Sequence, residues 1–427
     1  MNPQAQELNE LLEKENPVVF NALSKRGKEI FFPKKGILGQ SAEAKGKQIN
    51  ATIGIAVEDD GSQMRLPSIE KNLSLKPEEI FPYAPSFGKQ DLRLAWKEQM
   101  MKKNPSLKEP ISLPVITNAL THGLSMAGYL LIDENDHIIV PDPFWGNYRL
   151  IFEVTYGAKI APFPSFHNKA FNLQGLDNAL EDDGKKIVLF SCPNNPSGYT
   201  PTRQEAKKMV EIIKKHAEKK PIILIIDDAY FGLVYKEGIE TESFFAPLAH
   251  AHKNIIAIKI DGATKEQFAW GLRVGFITFA NKDMTKQGLG ALEAKAAGAV
   301  RGTISNASNL SESLVQKAIT SPTFEQEHNE KYGILKRRFL KVEEVLRDKK
   351  FDDVLEPFPF NSGYFMCVRL KGGIDAEKVR KELLEKHDTG VIAIQDYIRV
   401  AFSSVPEKDI KRLFDNIYNA AVRCKNG

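Results

Sequence analysis

The sequence predicts an α/β fold: a large domain whose mostly parallel central sheet is flanked by helices, joined to a smaller α+β domain. Three observations predict it. From about residue 111 onward, short runs of Val, Ile and Leu alternate with amphipathic stretches. Those runs are apolar nearly throughout, as strands buried on both faces are, instead of alternating with polar residues. After about residue 320 the texture changes to long charged helical stretches with isolated strands between them.

Taken in order, the first fifty residues read as helices and loops that pack on the smaller domain. The divisions fall at 1–54, 55–320 and 321–427. Buried strands are expected at 138–140, 187–190, 222–226, 255–258 and 274–277. Between them, 202–219 reads as a helix, with Pro201 near its start and an apolar stripe of Val210, Ile212 and Ile213. Strand–helix alternation of this kind is the signature of a layered α/β architecture. Beyond residue 320 the pattern predicts a helix over 323–347, a strand over 364–370, a helix over 375–386, a strand over 397–402 and a last helix from 407.

Composition excludes several classes of function. The chain of 427 residues is 42% hydrophobic and 27% charged, enough to bury a core without metal or disulfide support. Its net charge of +4, from 59 basic and 55 acidic residues, is too mild for a nucleic-acid surface. The three cysteines, Cys192, Cys367 and Cys424, show no CxxC spacing, which points to a reducing compartment. The N-terminus is polar and unlike a secretory signal. No apolar run approaches the roughly 20 residues of a membrane span. A cytoplasmic protein without membrane or nucleic-acid partners is expected. The eight histidines show no HExxH or clustered spacing, so no metal is expected.

In open α/β sheets ligands sit beyond the carboxyl ends of the strands, and the chemically informative residues fall there. Ala119-Leu120-Thr121 follow 115–117 and lead into an apolar helix over 123–131, whose start offers free N–H groups to an anion. Taken alone, the stretch reads better as an ordinary helix cap at Thr121. Trp145 follows 138–140 and could stack on a flat ring or simply pack in the core. Asn195-Pro196-Ser197-Gly198 follow 187–190 as a rigid turn, in which an Asn amide can donate. Asp227-Asp228-Ala229-Tyr230 close the most apolar strand, and a carboxylate there is costly without a partner. One aspartate could be buried and the other an exposed cap. Thr264-Lys265 lie in a tight turn between two buried strands, where desolvation would lower the lysine pKa and free its amine for imine formation.

In this order the stretches resemble the class I/II aminotransferases, pyridoxal 5'-phosphate enzymes of fold type I. Asn195-Pro196-Ser197-Gly198 matches the family's Asn-Pro-Thr-Gly turn, and Asp227-Asp228-Ala229-Tyr230 its Asp-x-Ala-Tyr. Thr264-Lys265 followed by Gly271-Leu272-Arg273-Val274-Gly275 matches Ser/Thr-Lys…Gly-x-Arg-x-Gly. Tyr83, Gly88 and Leu92-Arg93 fit Tyr-x4-Gly-x3-Leu-Arg, and the likeness runs from about residue 50 to 405. The resemblance implies that Lys265 holds the cofactor as a Schiff base and moves the substrate proton. It implies that Asp227 pairs with the ring nitrogen, that Asn195 and Tyr230 bond the phenolic oxygen, and that Trp145 stacks on the ring. Arg273, Thr121 and the helix start at Ala119-Leu120 would hold the phosphate, with Tyr83 reaching across from the second subunit of a homodimer. Arg399 would grip the α-carboxylate of an amino acid or 2-oxo acid, and Gly54 lies in a loop, 50–56, over the substrate. Two positions depart from the pattern: Gly262, where relatives often keep a phosphate-binding serine, and Ala119-Leu120, in place of a Gly-Ser or Gly-Ala pair.

Residues 50–54, 145–147 and 301–306 lean toward the aspartate/aromatic branch, with aspartate, glutamate or an aromatic amino acid as donor. There Arg301 would cross the dimer interface to a second carboxylate; as plain structure it is an exposed arginine at a helix end. The same scaffold also supports lyases and decarboxylases, because the outcome depends on which bond is aligned. A non-enzymatic effector-binding protein is the other alternative.

Overall fold

The computed structural model describes residues 1–34 and 36–426. Seven strands form the central sheet: β1 (Val115–Asn118), β2 (His137–Asp142), β3 (Lys159–Pro164), β4 (Lys186–Ser191), β5 (Ile222–Asp227), β6 (Ile255–Gly262) and β7 (Val274–Ala280). Their order is β1-β7-β6-β5-β4-β2-β3. The run from β6 to β3 is parallel, while β7 lies antiparallel to both β6 and β1. Chain length explains the reversal. The link from β6 to β7 covers only 263–273, short of the dozen or more residues a parallel crossover needs. Every residue of β4 and β5 is buried, as their unbroken apolar runs require.

The helices packed around the sheets and the site include α1 (Gln90–Lys103), α2 (Ala119–Leu131), α3 (Arg203–Ala217), α4 (Phe324–Val345), α5 (Ala376–Lys386) and α6 (Ile410–Asn426). α3 opens with a reciprocal capping box between Thr202 and Glu205, which sets its start one residue after the threonine. α2 begins four residues before the expected Gly123. Its cap position is Asn118, whose N–H donates to His122 Nδ1 at 3.1 Å, and Thr121 is an exposed residue of the first turn, not the cap. Gly123 marks close packing instead of a helix start, since a Cβ there would lie 2.9 Å from Ile260 Cγ2.

A four-stranded antiparallel sheet follows: β8 (Leu355–Pro357), β9 (Phe365–Leu370), β10 (Ile392–Ile394) and β11 (Tyr397–Ala401), in the order β8-β9-β11-β10. The expected strands near 364–370 and 397–402 are β9 and β11. β8 and β10 span three residues each, too few to leave a readable period. The N-terminal segment is tied to this part of the chain. Ile49–Asn50 pairs in parallel with Thr389–Gly390, and Gln40 exchanges two hydrogen bonds with the Ala393 backbone at 3.0 and 2.8 Å. Among the described residues no helix is long and apolar enough to cross a membrane.

Candidate active site

A cavity of about 910 Å³ opens at the carboxyl ends of β4, β5 and β6. Leu120, Thr121, Trp145, Asn195, Asp227, Tyr230 and Lys265 line it, and Gly54 and Arg399 close it from the other side. Elements separated by more than 300 positions thus meet where open sheets place their ligands.

Asp227 ends β5 and is buried. Its Oδ2 accepts from the Tyr148 hydroxyl at 2.5 Å and its Oδ1 from the Ala229 N–H at 3.2 Å. Burial raises its pKa, against the Tyr148 hydrogen bond and the Lys265 charge, which both favour the carboxylate. Lys265 sits in the turn after β6, its Nζ 5.4 Å from the centroid of the Tyr230 ring. Burial lowers its pKa to about 8, with Asp227 opposing that shift and Arg273 reinforcing it. Its carbonyl accepts from the Tyr364 hydroxyl at 2.7 Å, which anchors the turn to β9's approach. The Tyr230 ring packs edge-on against Tyr364 and Phe365, and a Cβ on Gly54 would lie 3.2 Å from its hydroxyl oxygen. Only glycine lets that loop approach so closely.

Arg399, on β11, is 2% exposed. Its Nη1 donates to Asn195 Oδ1 at 3.3 Å and its Nη2 to the Thr52 carbonyl at 2.5 Å, while Nε is buried without a partner. The guanidinium lies 4.4 Å over the Phe365 ring. The loop carrying Thr52 is itself pinned: Asn50 Oδ1 accepts from the Thr52 N–H and hydroxyl, and the Ala401 N–H donates to the Ala51 carbonyl.

The remaining predicted residues stand apart from the lining. Ala119 is buried at the start of α2, one residue behind it. Arg273 is exposed, with Nη1 donating to the Trp270 carbonyl at 3.2 Å. Tyr83 is 91% exposed, and Arg301 is exposed with Nη1 donating to Ser305 Oγ at 2.8 Å. Two residues that hydrogen-bond Asp227 and the Lys265 backbone, Tyr148 and Tyr364, escaped the sequence. Tyr148 is buried between Trp145 and Phe152, and nothing in its local spelling separates a carboxylate-binding tyrosine from a core aromatic. Tyr364 is as silent.

Gly262 has a steric reason. A Cβ there would lie 2.5 Å from the Val274 carbonyl oxygen and 2.8 Å from Gly275 Cα, and a Cβ on Gly275 would strike the Ala119 backbone at 2.5 Å. The β6–β7 pair therefore presses directly on the start of α2, leaving backbone N–H groups rather than a serine hydroxyl at that corner. We expect Gly262→Ser to cost about 1–3 kcal/mol through overpacking. Thermal melting checks this; an unchanged Tm would contradict the close contact.

Comparison with known proteins bears directly on this arrangement. The family described as aminotransferase class I and II matches residues 48–417. Over 332 residues the chain is 24% identical to the cytoplasmic aspartate aminotransferase of Caenorhabditis elegans, covering 74% of this chain and 78% of that protein. Over 346 residues it is 26% identical to an aspartate aminotransferase of Pyrococcus horikoshii, covering 78% and 81%. An aminotransferase structure from Anaerococcus prevotii superposes with a TM-score of 0.82 at 25% identity, covering 93% of this chain and 98% of that one. The P. horikoshii kynurenine aminotransferase shares the fold, with a TM-score of 0.79 at 16% identity over 95% and 98% of the two chains. With a family match running through most of its length and a cavity at the strand ends, the chain belongs to the class I and II aminotransferases and is a pyridoxal 5'-phosphate-dependent aminotransferase that moves amino groups between amino acids and 2-oxo acids.

Proposed function

We propose that the enzyme works as a cytoplasmic homodimer on a donor with a large apolar or aromatic side chain and on dicarboxylic partners such as aspartate or glutamate. Arg399 carries the proposal: a buried guanidinium with an unpartnered Nε, facing a cavity, suits a substrate carboxylate bound by two parallel hydrogen bonds. Ile53, Leu124, Phe144, Leu150, Ile392 and Phe365 supply apolar walls for the side chain beyond it. All three cysteines are free, which fits a reducing compartment.

The residues also fit the cofactor. The close-packed Gly262 and Gly275 leave room for the start of α2, whose first amides at Ala119, Leu120 and Thr121 suit a phosphate, with Arg273 alongside. The Trp145 indole offers a face to the ring, and Asn195 and Tyr230 offer hydrogen bonds to its phenolic oxygen. Asp227, whose Oδ2 accepts from the Tyr148 hydroxyl, would pair with the ring nitrogen and keep it protonated. Bound there, pyridoxal phosphate supplies an electron sink for the pair left at the substrate α-carbon. Lys265 is the point of attachment and then the base that takes the α-proton, because its lowered pKa makes the free amine available. The exposed Tyr83 and Arg301 serve the partner's cavity, Tyr83 at the phosphate and Arg301 at a second carboxylate. The division into 1–54, 55–320 and 321–427 is part of the same proposal, supported by the hydrogen bonds that tie Gln40 to Ala393.

We expect the purified holoenzyme to make glutamate from 2-oxoglutarate with phenylalanine as donor. We expect Arg301→Leu to lower kcat/KM for aspartate relative to phenylalanine by about 10-fold or more, the worth of one ion pair. No turnover of phenylalanine removes the apolar reading, and an unchanged aspartate-to-phenylalanine ratio removes the role of Arg301.

A further inference from the structure

A buried cluster with no part in the proposed chemistry lies on the reverse face of the same strands. Asp228 follows Asp227, and strand alternation sends its side chain to the opposite face. There its Oδ2 accepts from Ser243 Oγ at 2.5 Å and from Lys259 Nζ. Lys259 is 0% exposed and also contacts Asp261 Oδ2 at 3.2 Å, while Asp261 Oδ1 accepts from Trp96 Nε1 of α1 at 3.1 Å. The Phe231 ring covers the ammonium at 4.4 Å, and the nearby Cys192 thiol is kept neutral by burial and the two strand-end aspartates. The cluster therefore holds two carboxylates and one ammonium, with Asp228 Oδ1 unpartnered. Replacing such buried ion groups by apolar side chains is often neutral or stabilising, so stability alone gives little reason for them.

Their placement suggests a use. Lys259 and Asp261 flank Ile260, the register partner of Asp227, and the Asp228 N–H donates to the Ile260 carbonyl at 2.9 Å. Asp261 lies near the end of β6, four residues before Lys265. We infer that Lys259 is a positioning residue for the active site: from behind the sheet it clamps the strand ends that carry Asp227 and Lys265, and it places a second buried positive charge behind the Asp227 carboxylate. Lys259 is the second cation, after Lys265, that favours the charged form of Asp227. Unlike Lys265, it keeps its charge throughout turnover. The inference rests on the proposed pairing of Asp227 with the ring nitrogen.

The test reads the midpoint of the visible absorbance change with pH, on holoenzyme without substrate. Removing the Lys259 charge weakens the hold of Asp227 on the ring-nitrogen proton. The nitrogen joined to Lys265 then becomes more basic, so Lys259→Met moves the midpoint up by about 0.5 pH unit or more. The same variant lowers kcat by about 10-fold with KM within about 2-fold. Asp261→Asn keeps an acceptor for Trp96 and leaves Lys259 paired with Asp228, so it folds and moves the midpoint down. Asp261→Asn decides the matter if Lys259→Met fails to fold. Asp227→Asn is the control: a midpoint unmoved there defeats the role of Asp227 itself. A midpoint moved there but unmoved in Asp261→Asn, or in folded Lys259→Met, overturns the inference about Lys259.

Discussion

Lys265→Ala lowers kcat by at least about 1,000-fold, in the upper range for losing a general base, and abolishes the visible band of covalently held cofactor. The reasoning starts from protonation. Only the neutral amine attacks a carbonyl carbon, and with a pKa of about 8 roughly one lysine in ten is neutral at pH 7, against fewer than about one in a thousand at the ordinary 10.5. The cost falls on the empty protein. Because the folded value lies below the unfolded one, the folded chain binds fewer protons between about pH 8 and 10.5, so its stability rises with pH across that window. Protein stripped of cofactor should therefore gain Tm at pH 7 on Lys265→Met, and that gain should shrink as the pH approaches 10.5. Spectra, turnover and melts of the variants check these statements together. A retained band with normal turnover would overturn the assignment of the attachment point.

Arg399→Leu costs about 3–5 kcal/mol of transition-state binding, roughly 200- to 5,000-fold in kcat/KM, for every amino acid tried. The loss is uniform because the α-carboxylate is common to all substrates while the side-chain pocket is left alone. Truncation also strips donors from Asn195 Oδ1 and the Thr52 carbonyl, so the loop carrying Thr52 loses an anchor. Arg399→Lys keeps a charge but not the planar fork, and recovers less than about 10-fold of the loss. Steady-state kinetics on phenylalanine and aspartate decide it: kcat/KM within about 3-fold of wild type for Arg399→Leu would place the carboxylate elsewhere.

What the chain's spelling reveals obeys physical lines. β4, β5, β7 and the 255–258 half of β6 are readable because strands buried on both faces are apolar nearly throughout, and the residues at their ends inherit the site from sheet geometry. Asp227, Lys265 and Asn195 are legible for that reason. Tyr148 is not, because its meaning depends on a carboxylate 79 positions away. Nor is the pairing of Asp228 with Lys259: it arises from the register that sets Ile226 opposite Lys259, and register is a tertiary fact. Both aspartates at the end of β5 are buried, each with its own partners, so the exposed-cap alternative for one of them does not hold. α2 starts ahead of Gly123, a residue that weakens the helical pattern but that close packing on Ile260 requires.

The outermost strand β3 carries Pro162 and Pro164, residues that the apolar-run pattern passed over and that only a sheet margin tolerates. A proline has no amide hydrogen, so this rim offers an incoming chain an incomplete set of donors. Molecules crowded at high concentration are thus denied a template for cross-molecular strand addition on that side, and self-association through continuous ribbon growth stops at two missing hydrogens.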